Sequence, residues 1–342
     1  MKKSRQEINV RDFLFTYGFV IVLVLVVIYF SLASNNFFTV RNFLMVFHTA
    51  ATMLILSTGL ALVIMTGQLD ISVGSIAFLS SGIGVLLITR SGVPDLIGLL
   101  IVIIIGTLLG ALNGFIVVFL KVNPLITTMG TMIALRGLAL QITNSQVISL
   151  PEQLRVMGNA RLPGLPANTP IYLDILISLA ILVILHWVHT RTTLGRQITA
   201  LGNGFEVSER LGVQVKKVNF LAFVISGLMA SIGGIFTMFQ VGQVSPTMGS
   251  GYEFSAIAML VIGGISLFGG EGTIIPGIIL GGVTLTVIES GLNFIGASPY
   301  AYPFVRGGII FVAMFADSLK SLVKPKVKVI ADDEPSGKIV GA

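Results

Sequence analysis

Cysteine is absent from this 342-residue chain, which excludes disulfides and thiolate metal sites. Charge is almost as scarce. Asp, Glu, Lys and Arg make up 11% of residues, against about a quarter in an ordinary soluble domain. A chain this size cannot cover a water-facing surface with so few charges. The sequence also lacks Gly-x-x-x-x-Gly-Lys-Ser/Thr, so no Walker-type phosphate cradle is expected. Gly269-Gly270-Glu271-Gly272-Thr273 is glycine-rich but has no lysine. No hydrolytic triad or paired-carboxylate signature stands out, so no catalytic residues and no resident cofactor or metal are expected. The only histidines are His48, His186 and His189. The last two lie one helical turn apart near a span end, which fits an interfacial structural role better than a metal pair.

What is abundant is apolar length: 54% of residues are hydrophobic. Lipid is the solvent that suits such a chain, and in lipid backbone groups must pair within helices or a closed barrel. Apolar runs of about 20 residues exceed barrel strands, so helices are expected. The fold class is all-α, a polytopic membrane protein of about ten transmembrane helices. The spans fall near 13–33, 43–66, 71–89, 96–120, 124–142, 171–189, 218–240, 254–268, 274–295 and 302–319. Those at 71–89 and 254–268 are short and border glycine-rich sequence. Lys2, Lys3 and Arg5 precede the first run, but that run is too long for a typical signal peptide and reads as a retained helix.

The net charge of +6 reflects topology, not nucleic-acid binding. Of the 21 Lys and Arg residues, Arg41, Arg90, Arg155 and Arg161 fall in one set of loops, Arg136 and Arg306 fall inside spans, and the rest occupy the other set and the termini. Basic residues mark the cytoplasmic side, so both termini are expected inside. Spans 2–5 and 7–10 then begin on opposite sides, which predicts an inverted repeat. Residues 1–320 read as one transmembrane permease domain and 321–342 as a charged cytoplasmic tail.

Polar residues inside an apolar chain are the candidate pathway. Asp70, Ser72 and Ser75 lie in the break Gly67–Ser75. Asp70 is expected either to cap the following helix or to face a polar cavity. Asn113-Gly114 follows Gly106 and Gly110, whose four-residue spacing predicts close helix packing; Asn113 itself is a pathway candidate. Arg136, Glu253, Glu289 and Arg306 sit within or beside spans, where charge is costly and usually paired or cavity-facing. At 1.5 Å per residue, Glu289 lies roughly 22 Å from one face and Arg306 roughly 6 Å from the other. In a core about 30 Å thick those depths nearly coincide. The two either form an ion pair or snorkel separately to the headgroups.

Several stretches in order resemble the permease subunits of ribose-type ABC sugar importers. They are Gly67–Ser75; Asn113-Gly114 with Lys121-Val122-Asn123-Pro124, Thr128–Met132 and Leu135-Arg136-Gly137; Gly251-Tyr252-Glu253 with Val261–Gly270; and Gly291-Leu292-Asn293. The resemblance implies about ten helices per subunit and pairing with a second permease copy or paralogue. It also implies a cytoplasmic ABC ATPase, which would hold ATP and Mg, and a periplasmic solute-binding protein. It places the ATPase-coupling helix at Gly202-Asn203-Gly204-Phe205-Glu206-Val207-Ser208-Glu209-Arg210-Leu211-Gly212. Gly202, Asn203, Glu206, Glu209, Arg210 and Gly212 are the expected coupling residues. The chain departs from the family pattern at Gln68, Val207, Ser208, Glu209, Ser255, Glu271 and Glu289, the last standing where asparagine is usual. The implied function is import of a sugar or sugar-like solute across the bacterial inner membrane. A permease for branched-chain amino acids or nucleosides, and an ion-coupled secondary transporter, are the competing expectations.

Overall fold

The structure is a computed structural model that describes residues 10–158, 160–163 and 171–323. Its first half runs α1 (Val10–Ala33), α2 (Val40–Met65), α3 (Val73–Ser91), α4 (Asp95–Val118) and α5 (Pro124–Ile142). A connecting region follows, with strand β1 (Ile148–Ser149), α6 (Glu152–Gly158), α7 (Leu173–Arg191), α8 (Thr193–Asn203) and α9 (Phe205–Arg210). The second half holds α10 (Val215–Val241), strand β2 (Gln243–Val244), α11 (Tyr252–Ile262), a wide turn at Ile274–Ile278 leading into α12 (Ile279–Phe294), and α13 (Ala301–Val323). Among the described residues, seven helices have the length and apolar composition to cross a membrane, and Val20–Ala33, Tyr252–Ile262 and Ala301–Val312 are shorter apolar segments. The protein is a polytopic all-α membrane protein, and every expected span has a helix.

Two boundaries differ from the sequence reading. The span expected at 254–268 is helical only to Ile262, because Gly264, Gly269 and Gly270 adopt positive φ and turn the chain. The span expected at 274–295 is interrupted at its start, where Ile275 has extended backbone (φ −112°, ψ 131°). Between the halves, α6 follows β1, and α8 and α9 precede α10, with α9 where the resemblance placed the coupling helix. The basic residues Lys2, Lys3 and Arg5 and tail residues 324–342 lie outside the described residues.

The packing carries the repeat that topology predicted. α10 lies on α4 as α2 lies on α12; α3 packs on α4 and α5 as α11 packs on α12 and α13; α2 and α10 meet each other. The tightest of these seams is α4 on α10. A β-carbon at Gly110 would overlap the backbone of Phe223 and Gly227, and one at Gly106 would overlap Ser231. Small residues let two backbones approach, and close packing is the main adhesion between helices in lipid. The buried stretch of α2, from Leu54 to Met65, lies at the centre of the larger core. By contrast α4 leaves Leu108 and Leu112 exposed, as lipid-facing helices do, and α5 leaves Ile126 and Ile133 exposed.

Candidate functional site

Two broken helices meet inside the bundle. The linker 66–72 delivers the N-terminus of α3, and the linker 242–251, held by β1–β2 pairing, delivers the N-terminus of α11. The two touch at Gly74 and Gly249, where a β-carbon on either residue would strike the other's carbonyl oxygen. Gly249 also has φ +72°, a conformation suited to glycine. Arg136 Nη2 donates to the Met248 carbonyl at 3.3 Å, and its guanidinium carbon lies 5.7 Å from the Phe78 ring centroid, which fixes the second linker. Glu253 is buried in the first turn of α11, an end where helix dipoles favour an acid.

The first linker is locked by a polar network. Asp70 is fully buried. Its Oδ1 accepts from the Ser72 amide at 3.0 Å and the Ser72 hydroxyl at 2.6 Å, and its Oδ2 accepts from Ser226 Oγ of α10 at 2.8 Å. Asn113 Nδ2 of α4 donates to Ser72 Oγ at 2.8 Å. Hydrogen-bonding a buried carboxylate is the alternative to a costly desolvated charge. Asp70, Ser72 and Asn113 are therefore brought together, but they line neither principal cavity. Ser75, in the first turn of α3, is buried with its hydroxyl unpaired. Asp70, Ser72 and Asn113, with Ser226, fasten the start of α3 to α4 and α10.

The pathway candidates that do face open space are Glu289 and Arg306. They form an ion pair, with Arg306 Nε and Nη2 at 2.8 and 2.7 Å from Glu289 Oε1. They lie in a cavity of about 250 Å³ with Thr49, Thr52, Thr237, Gln240, Tyr252, Ser255 and Thr286. A second cavity, about 740 Å³, shares Thr49, Thr286 and Glu289 and continues past Ser290, Asn293 and Tyr302 to Asn36, Thr39 and Arg41 in and beside the α1–α2 connection. The two adjoin at Thr49, Thr286 and Glu289, one reaching an end of the bundle and the other its interior. Sequence reasoning missed most of this wall. One signal was present: Thr286, Glu289, Ser290 and Asn293 stand at i, i+3, i+4 and i+7, one polar face in an apolar helix.

A further network ties this path to the bundle end. Gln240 donates to the His48 carbonyl at 2.6 Å and to Asp174 Oδ2 at 2.8 Å, and accepts from Thr52 at 3.2 Å. His48 Nδ1 lies 2.8 Å from Asp174 Oδ2 without the alignment of a hydrogen bond. Its ring stacks on Tyr172 at 3.9 Å. His186 and His189 do serve packing: His186 Nδ1 accepts from the Ile275 amide at 3.3 Å, and His189 Nε2 lies 3.1 Å from Thr199 Oγ1.

At the opposite end, α8 and α9 occupy the expected coupling loop. α8 is amphipathic, burying Gly195, Ile198 and Leu201. Its last turn is wedged into the bundle, where a β-carbon at Gly202 would strike the Met65 carbonyl and the Gly270 amide. Asn203 Nδ2 donates to the Gly270 carbonyl at 3.4 Å, and the Gly270 amide donates to Met65 at 3.1 Å. Gly269 in turn lies against Gly67. The end of α2, the turn 266–272 and the Asp70 linker are thus in direct contact with the root of α9. α9 itself projects, with Glu206, Glu209 and Arg210 exposed beside Phe205, Val207 and Leu211. Gly212 ends it at φ +80° with open space around it. The sequence reading named the charges and missed the three apolar residues.

Comparison with known proteins accords with this architecture. The family described as branched-chain amino acid transport system / permease component matches residues 42–314. The chain belongs to this permease family. Among its relatives, the permease is 34% identical over 306 residues to the ribose import permease of Escherichia coli strain K12, covering 88% of this chain and 92% of that protein. It is 33% identical over 293 residues to the autoinducer 2 import system permease of Photorhabdus luminescens, covering 84% and 85%. It is 29% identical over 323 residues to the ribose import permease of Haemophilus influenzae, covering 93% and 98%. No solved structure matches the permease.

Proposed function

We propose that this chain is the membrane permease subunit of an ABC importer for a sugar or sugar-like solute. The observation that carries the reading is the pairing of a polar path at one end with an exposed, bundle-rooted helix α9 at the other, in a chain whose relatives are named for ribose and autoinducer 2 import. Those names, and the hydroxyl-rich path, favour a sugar over an amino acid. The basic α8–α9 end is the cytoplasmic one, and the polar path opens toward the outer side. ATP and Mg reside on a separate ATPase, because this sequence has no phosphate-binding lysine motif.

The parts divide the work. A periplasmic binding protein delivers solute at the mouth beside the α1–α2 connection, where Asn36, Thr39 and Arg41 line the cavity. An ATPase receives α9, with Phe205, Val207 and Leu211 filling an apolar groove and Glu206, Glu209 and Arg210 setting its orientation. Closure of the ATPase moves α9, and the glycine contacts at Gly202, Gly270, Gly269 and Gly67 pass that motion to α2 and the Asp70 linker. A second permease copy or paralogue covers α5 and α13, where β-carbons at Gly130, Gly137, Gly307 and Gly308 would meet nothing within 4 Å. Native mass measurement of the chain co-expressed with its ATPase tests this reading. Two permease subunits per complex are expected; a chain that stays alone and binds no ATPase contradicts it.

A further inference from the structure

The cavity wall shows which hydrogen-bonding groups remain for a solute. Both guanidinium contacts of Arg306 go to one oxygen, Oε1 of Glu289. Glu289 Oε2, Arg306 Nη1 and the hydroxyls of Thr49 and Thr286 have no protein partner among the described residues. Gln240 is not available in the same way, since its amide nitrogen donates twice within the protein. Thr49, Thr286 and Glu289 are the residues common to both cavities, and Arg306 lines the inner one, so three of the four free groups stand where the two join.

This set has a definite chemistry. Oε2 requires a donor and Nη1 requires an acceptor. A hydroxyl group is both, and two adjacent hydroxyls can engage the carboxylate with one and the guanidinium with the other. Charge-assisted hydrogen bonds of this kind are about twice as strong as neutral ones. A carboxylate, or a phosphate ester in the dianionic form that prevails above its second pKa of about 6, has no proton to give Oε2 and meets its negative charge, while Arg306 is already neutralised by Glu289. A cation meets Arg306. The inner cavity holds no other charged side chain.

We propose that Glu289 and Arg306 form a solute subsite within the permease itself, engaging two adjacent hydroxyls of a neutral polyol and rejecting its phosphate ester. The inference rests on the import-permease reading and names the group that this subunit recognises.

The absence of cysteine makes the test direct. Thr49→Cys places one thiol at the junction, and its rate of modification by a neutral thiol reagent is measured in membrane vesicles holding the complete complex. The probes are D-ribose, D-galactose and xylitol, with D-ribose 5-phosphate as the anion. At least one neutral probe should slow labelling, and the phosphate should not. Glu289→Gln in the same background should raise the concentration needed for protection about tenfold, the loss of one charge-assisted bond. Arg306→Lys, which keeps the charge and removes the fork, should act likewise and serves if the first variant fails to assemble. No protection by any neutral probe, equal protection by the phosphate, or protection unchanged in both variants overturns the subsite. ATP-driven uptake of the probes in the same vesicles separates the two readings: uptake without such protection leaves the import reading standing and removes the subsite, whereas protection without uptake overturns the import reading.

Discussion

Gly74 and Gly249 meet back to back, each so close that a β-carbon on one would collide with the carbonyl of the other. They belong to opposite halves of the repeat, at the starts of the two broken segments. Gly74→Ala or Gly249→Ala should therefore lower the thermal unfolding temperature in detergent by several degrees and abolish transport, since neither backbone can yield. Gly204→Ala, where a β-carbon would meet only Val207 at ordinary contact distance, should melt like the parent. Equal melting of all three would show that the halves are not pressed together there.

The Asp70 carboxylate joins the start of α3 to α10, and Ser72 carries the link on to α4. Removing the carboxylate strands the hydroxyls of Ser72 and Ser226 in the core. Asp70→Ala should cost about 1–3 kcal/mol, more than Ser226→Ala, which leaves the contacts to Ser72 intact. The two losses should be non-additive in a double-mutant cycle of unfolding in denaturant. Additive losses would mean that the bond across to α10 contributes nothing.

The Glu289–Arg306 pair predicts the opposite ordering of single and double changes. Glu289→Gln leaves a cation in a partly buried cavity without its partner, which is typically worse than losing both charges. Glu289→Gln combined with Arg306→Gln should be more stable than Glu289→Gln alone. Thermal unfolding of the four proteins decides it, and a double variant that melts lower than both singles would rule the pair out as a stabilising unit.

How much of this was legible in the sequence differs by element. The spans were, because apolar runs near bilayer thickness have few readings. The α4–α10 seam was half legible: Gly106 and Gly110 announced a close contact, but nothing in their spacing named Gly227 and Ser231 across it. Asp70 shows the limit most clearly. Its neighbours in sequence suggested a cap or a cavity, and its fate was decided by Ser226, 156 positions away. The extent of α11 was misread because hydropathy continues through Val261–Phe268 while the backbone turns at Gly264. In the coupling loop, the eye for charge found Glu206 and Arg210 and passed over Phe205 and Leu211, whose exposure is apparent only once α9 is seen to project.

That projection makes a prediction of its own. Phe205→Ser with Leu211→Ser should leave the permease inserted and folded but weaken its hold on the ATPase. Glu206→Lys or Arg210→Glu should disturb coupling, so that ATP hydrolysis no longer responds to the loaded binding protein. Co-purification and ATPase rates read the two effects separately. Full stimulation in all of these variants would move the transmission site elsewhere, the 266–272 turn being next in contact.

Uptake into proteoliposomes tests import most directly. Vesicles holding the permease, its ATPase and its solute-loaded binding protein should accumulate labelled solute against a gradient when ATP is supplied, and should fail to do so with a non-hydrolysable analogue. Vesicles holding this chain alone should show no accumulation under any ion gradient. Concentrative uptake by the chain alone, driven by a proton or sodium gradient, would contradict the account and identify a secondary transporter.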